Sequence, residues 1–280
     1  MWSTSGFFAK APWFDGWDPQ ARGVLLAFFR SLFAVIVLVP MIRRPRFRPA
    51  MLLMTVCFAG MVWSFMEAMV HGPAANAIWL QYLCPAWVAL GGSVVLRERV
   101  GVRDRRMLAF CLSGVLFILV MEFRGGSGLY ASFMGILSGV TFAGVLLSMR
   151  ELRDEDAAWL ITLNHGATVL MLMPWAWAAH EPIAAGSYAA LGLFGVFQMS
   201  VPYVLFARGL RSVAGAEASM LSLIEPLLVP LWVFVAWHDH ASYQAPPWWT
   251  WVGGGMILCG LLQRYLPHAL RRSTRGNTPV

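Results

Sequence analysis

The chain has 280 residues, of which 59% are hydrophobic and only 12% charged, with a mean hydropathy of +0.63. A water-soluble domain of that length would lack the polar surface to cover itself, so the composition puts the chain in a bilayer. The formal net charge of +7 then reports orientation and contact with anionic headgroups, because nucleic-acid binding would need a soluble basic face that the chain lacks.

The first ten residues, MWSTSGFFAK, read as the last half of a helix whose beginning is missing. They carry neither a basic n-region nor a small-residue cleavage site, so no signal peptide is expected. The favoured explanation is a true start upstream of Met1; the alternative is a protein that keeps only a stub of its first helix. Apolar stretches of the roughly 17 to 25 residues needed to span a hydrocarbon core follow at 21–42, 50–70, 74–96, 107–123, 131–149, 157–179, 188–207, 216–237 and 247–267. With the stub they make ten. The connections are short and hold Gly, Pro and charge, as in RRPRFRP at 43–49, RERVGVRDRR at 97–106, RGGSG at 124–128 and YQAPP at 243–247. Most of the tryptophans, among them Trp13, Trp17, Trp175, Trp177, Trp237, Trp248, Trp249 and Trp251, fall at segment ends, where an amphipathic ring meets the headgroups. Cys57, Cys84, Cys111 and Cys259 lie in apolar stretches without paired spacing, which suggests neither a disulfide frame nor a metal cluster.

Two of these segments are copies of one another. At an offset of 141 residues, the spacing from Pro85 to Pro226, the stretch Phe65 to Glu98 lies without gaps on Phe206 to Asp239. Phe65/Phe206, Ala75/Ala216, Ala77/Ala218, Leu80/Leu221, Pro85/Pro226, Val88/Val229, Leu90/Leu231 and Val94/Val235 are identical, and both copies end on an acid. Aligned prolines and acids do not follow from apolar composition, so a duplication is inferred, with halves 1–125 and 126–280. Two related bundles facing each other at mid-membrane are the architecture of a carrier.

Basic residues set the orientation. If Lys10 marks the outer end of the stub, 17 of the 21 Arg and Lys residues fall on one side, in the loops at 43–49, 97–106, 150–153 and 208–211 and in the tail, and the positive-inside bias makes that side cytoplasmic. The acid of the first copy, Glu98, then lies inside among five arginines, while its equivalent Asp239 lies outside in a loop without Arg or Lys. Five helices per half, an odd number, inverts the second half.

The segment AANAIWLQYLCPAWVALGGSVVLRER resembles the signature of the EamA family in the drug/metabolite transporter superfamily, and GAEASMLSLIEPLLVPLWVFVAWHDH is similar. GGGMILCG at 253–260 resembles that family's last helix, WSTSGFFAK the end of its first, and LLAFFRSLFAVIVL its second. The sequence departs from the pattern in its truncated first helix and in His238, Asp239 and His240, where Gly-Glu is usual. The resemblance implies an all-α integral membrane protein of ten helices, two inverted five-helix repeats around a central cavity. It implies no particular substrate.

Polar groups inside spans are the candidates for touching cargo, since an acid at helix centre costs ~2.5 to 3.5 kcal/mol on insertion. Glu225, on one face with Ser222 and next to Pro226, reads either as a protonatable or cation-binding group or as a buried acid bracing the bend at the proline. Glu67 reads either as a second such acid or as a residue of a hydrated mouth. Gln81, Tyr82, Gln198, Tyr203, Thr141, Asn164 and His165 could bond a solute, though helix-to-helix bonding is their commoner use. Arg30 is an anchor for carbonyls or a site for a substrate carboxylate. Trp63 and Trp79 lie too deep for the headgroup belt and either line a cavity or pack; Pro85 and Pro226 are expected to bend their helices.

His238, Asp239 and His240 alternate near an aqueous edge but lack a further ligand elsewhere, so no metal site is expected. There is no phosphate loop and no nucleophile elbow, and neither a cofactor nor enzymatic chemistry is expected. The reading is a secondary carrier in a bacterial inner membrane, its C-terminus cytoplasmic, moving small organic metabolites such as amino acids outward. A proton or other coupling ion and a homodimer stay open, as does a non-transporting sensor or scaffold of the same fold.

Overall fold

A computed structural model of the chain describes residues 1–95, 101–125, 128–179, 185–202, 205, 222–241 and 243–273, and among these all regular structure is helical. A 3-10 turn (Trp2–Thr4) and the short α1 (Ser5–Ala9) lead through Pro12–Phe14 to α2 (Pro19–Leu38) and α3 (Ala50–His71). Then come α4 (Ala74–Gln81), α5 (Cys84–Val95), α6 (Val102–Gly125), α7 (Leu129–Glu151) and α8 (Ala157–Ala178). α9 (Ala185–Leu193) runs on as a π-helical stretch, Phe194–Ser200, and α10 (Glu225–Trp237) and α11 (Trp248–Ser273) complete the order. In lipid every backbone polar group must find a partner within the chain, which is why apolar segments of this length become helices. Among the described residues five, α2, α3, α6, α7 and α8, are long and apolar enough to cross a membrane.

The local signals fit these boundaries. Asp18 accepts from Gln20 N at 2.9 Å with Pro19 in the first helical turn, and Asp156 accepts from Ala158 N at 2.9 Å, so α2 and α8 both start at a capped aspartate. The expected continuous helix at 74–96 needs correction, because it is interrupted at Tyr82 and Leu83. Pro85 therefore stands in the first turn of a new helix, where its missing N–H costs nothing, instead of bending an old one. The same event recurs in register: Ser222 is helical, Leu223 and Ile224 form the turn, and Pro226 follows Glu225 at the start of α10.

Packing joins helices that are distant in sequence. α3 lies against α7 and α8, α2 against α8, α6 against α11, and α4 against both α7 and α10. Gly139 makes the α4–α7 contact possible: a Cβ there would stand 2.9 Å from the Leu80 carbonyl oxygen and 3.2 Å from that of Gln81. Trp79, 1% exposed, is enclosed with Leu83, Cys111, Ile118, Ile257 and Leu261, and its ring fits against Gly254 of α11. Large apolar side chains such as Leu52, Leu116, Phe133 and Leu170 point outward, as lipid contact requires.

The loops sort into two ends. At one, Asp156 accepts from Arg43 N and Arg44 N at 2.9 and 3.1 Å, Arg48 pairs with Glu155 at 2.6 Å, Trp159 Nε1 donates to the Arg46 carbonyl, and Arg264 pairs with Asp104. Partial burial opposes ionisation of Asp156, but the amides of Arg43, Arg44, Ala158 and Trp159 outweigh it and hold the carboxyl below its usual range. At the other end, Lys10 Nζ donates to the Val70 carbonyl at 3.1 Å and to Gln244 Oε1 at 3.3 Å, and Arg22 pairs with Asp15 at 2.8 Å.

Candidate functional site

The two helix breaks meet. Pro226 has no N–H to give the Ser222 carbonyl four residues earlier, and the hydroxyl of Tyr82, from the other break, donates to that carbonyl at 2.6 Å. The same hydroxyl oxygen is 2.9 Å from Glu225 Oε2. One residue before Tyr82, Gln81 Nε2 donates to Ser138 Oγ of α7 at 2.8 Å. Tyr82, Ser222 and Glu225 are thus brought together from the two halves of the sequence, with Gln81 the neighbouring residue, and Glu225 is half-buried. A carboxyl in that setting can exchange a proton or hold an amine, and a hydroxyl beside it can follow the change.

The N-terminal turn lies against this region. Trp232 Nε1 of α10 donates to Ser3 Oγ at 3.2 Å, and Gln198 Nε2, from the π-helical stretch, donates to the Trp2 carbonyl at 3.3 Å. Phe7 stacks on Trp237 and Phe8 on Phe194, with ring centroids 5.1 and 5.0 Å apart, so α1 is held on both sides by aromatic faces.

A second acidic cluster sits nearer the Lys10 end. Glu67 is 3% exposed; Tyr130 OH donates to its Oε2 at 3.0 Å, His71 Nε2 lies 3.2 Å from the same oxygen, and Trp63 interacts with the carboxyl from one turn earlier. Oε1 faces Gly23 of α2, where any larger residue would collide with it. Glu67 and Trp63 thus form one group with His71 and Tyr130, while Glu225 and Tyr82 form another.

The chain as a whole has counterparts among known proteins. A model of the EamA-like transporter family matches residues 1–120 and 129–263. The chain belongs to the EamA-like transporter family. It is 30% identical over 241 residues to an uncharacterized transporter of Archaeoglobus fulgidus, covering 85% of this chain and 84% of that one. It is 28% identical over 210 residues to a riboflavin transporter of Rhizobium johnstonii, covering 70% of this chain and 64% of the relative. A protein of known crystal structure superimposes with a TM-score of 0.59 over 95% of this chain and 93% of the other, at 16% identity, which speaks for the fold alone.

Within this EamA-like chain the other candidates are placed as follows. Arg30 is 1% exposed, makes a long 3.5 Å contact from NH2 to the Val62 carbonyl, and lies over the Phe194 ring at 5.5 Å. His165 is fully buried edge-on to Phe58, and Asn164 is buried beside it. Thr141 Oγ1 donates to Leu137 O of its own helix at 2.8 Å, the usual fate of a lone helix threonine. Tyr203 lies outside the described residues. Sequence reasoning did not single out Tyr130, His71, Ser138 or Glu122. His71 could have been found from its i, i+4 spacing to Glu67. Glu122, 2% exposed, accepts from Asn76 Nδ2 at 2.7 Å and Trp249 Nε1 at 3.0 Å, and Thr250 bonds Asn76 in turn, so this acid ties α4, α6 and α11 together.

Proposed function

We propose that this protein is a secondary transporter that moves a small organic solute by alternating access, as two inverted five-helix repeats, 1–125 and 126–280, around a central cavity. The observation that carries the reading is the recurrence of one helix break at Tyr82–Leu83 and Leu223–Ile224, in register, with the two breaks joined through Tyr82 and Glu225. Discontinuous helices facing each other are how carriers expose backbone and polar side chains to a solute at mid-membrane. The cargo is a small metabolite of the amino-acid kind, moved outward across a bacterial inner membrane with the C-terminus cytoplasmic. The riboflavin-transporting relative makes riboflavin a second probe. Energy comes from an ion gradient or from the solute's own gradient, and Glu225 is the group that exchanges the proton.

A growth-toxicity screen of overexpressing cells against amino acids and their analogues selects the cargo, and flux is then measured in proteoliposomes with those amino acids and riboflavin. Expected is flux that a pH gradient drives. Glu225→Gln should abolish the driven component and spare exchange, because a loaded carrier need not change protonation. A well-folded protein that moves nothing across the panel would replace the carrier with a sensor or scaffold.

A further inference from the structure

A tyrosine hydroxyl carries one proton, yet Tyr82 OH touches two oxygens that accept: the Ser222 carbonyl at 2.6 Å and Glu225 Oε2 at 2.9 Å. A carbonyl can never donate, so the short contact to Ser222 is made by the tyrosine proton. The contact to Glu225 then needs a proton of its own, and the carboxyl is the group that can supply it. We infer that Tyr82 is a positioning residue that reads the protonation of Glu225 and passes it to the helix break. With Glu225 protonated, its O–H donates to the Tyr82 oxygen and the tyrosine proton stays on the Ser222 carbonyl. When Glu225 releases its proton to water or solute, the tyrosine proton turns to the carboxylate and the carbonyl loses that donor.

The carbonyl in question is the one that Pro226 cannot serve. Ionisation therefore loosens the turn Leu223–Ile224, and protonation tightens it. Among the described residues of the neighbouring elements, the titratable groups whose charge reaches the pair are the Met1 amino group of the N-terminal turn, acting on Glu225, and Cys84 at the start of α5, acting on Tyr82. This switch rests on the reading of Glu225 as the proton-exchanging group and adds how the exchange reaches the backbone.

The test is amide hydrogen exchange of the full chain in lipid nanodiscs, without solute, over a pH series corrected for intrinsic exchange. Peptides covering 222–229 should lose protection by about tenfold on raising pH, the worth of one ordinary hydrogen bond. Infrared spectra should lose the stretch of a protonated carboxyl, absent from Glu225→Gln, over the same range. Glu225→Gln, whose carboxamide donates to the tyrosine oxygen at every pH, should keep the low-pH protection throughout. Tyr82→Phe should show the lower protection at every pH while its carboxyl still titrates. Retention of the pH-dependent loss in either variant, or ionisation of Glu225 without change in 222–229, overturns the switch; if Tyr82→Phe does not fold, Glu225→Gln decides alone. Proteoliposome flux is a separate reading: a break that obeys Glu225 in a protein that moves no solute upholds the switch and removes only the carrier.

Discussion

Replacing Gly139 by alanine should cost stability that the same replacement at Gly166 does not. The Cβ at 139 would sit 2.9 Å from the Leu80 carbonyl oxygen and 3.2 Å from that of Gln81, whereas nothing lies within 4 Å of one at 166. Unstrained C···O contacts run at about 3.3 to 3.6 Å, so α7 must withdraw from α4 by roughly half an ångström. The obstacle is backbone, which cannot rotate aside. Overpacking of this kind costs ~1 to 3 kcal/mol. Both glycines lie mid-helix, so alanine returns the same propensity gain of up to ~1 kcal/mol at each and cancels in the comparison. The expected difference is the clash alone, about 1 to 3 kcal/mol, read from reversible denaturant unfolding of both variants in one detergent. Equal stabilities would refute the argument that α7 closes directly over the carbonyls at the break.

Glu122→Leu should lose about 2 kcal/mol or more relative to Glu122→Gln, because it strands the Asn76 and Trp249 donors while glutamine keeps an acceptor; equal melting of the two would remove the tie between α4, α6 and α11. Asp156 has a folded pKa below its unfolded value of ~3.9, so its contribution is complete above that value and is lost as pH falls through the folded pKa. Asp156→Asn should accordingly melt lower than wild type at neutral pH, with the gap closing in acid, and a gap constant with pH would show that the carboxylate charge is irrelevant. In a cysteine-free background, single cysteines at Arg46 and Gln244 should react with impermeant reagents from opposite sides of the membrane; labelling from one side would end the inverted arrangement.

How far the fold was legible depended on what kind of information each feature needs. Apolar length is written locally, and the expected spans at 50–70 and 157–179 return as Ala50–His71 and Ala157–Ala178. The prolines at 85 and 226 marked the right places but not the right event, since a proline signals a missing N–H and leaves open whether the chain bends or stops and restarts. Glu225 beside Pro226 pointed to the site, but its link to Tyr82 joins residues 143 apart and follows from helix pairing. Glu122 escaped notice because, two residues before Arg124, it reads as an ordinary charge at a membrane edge. Trp79 could have lined a cavity or packed; what closes it in, Gly254, Ile257 and Leu261 of α11 among others, lies some 175 residues on and is set by helix pairing.

The pairing of α2 with α8, α3 with α7 and α6 with α11 also bears on how the protein is made. When the first 125 residues have left the ribosome, Glu67 has not met Tyr130, Arg30 has not met Phe194, and Gly114 of α6 still lacks the Gly253 backbone it will touch. The nascent half must be inserted with its polar groups only partly satisfied, by partners such as His71 for Glu67 and the Val62 carbonyl for Arg30, where an unpaired charge at helix centre would cost ~2.5 to 3.5 kcal/mol. Until the second half follows, α2 and α3 have only each other and the rest of the first half to cover these groups.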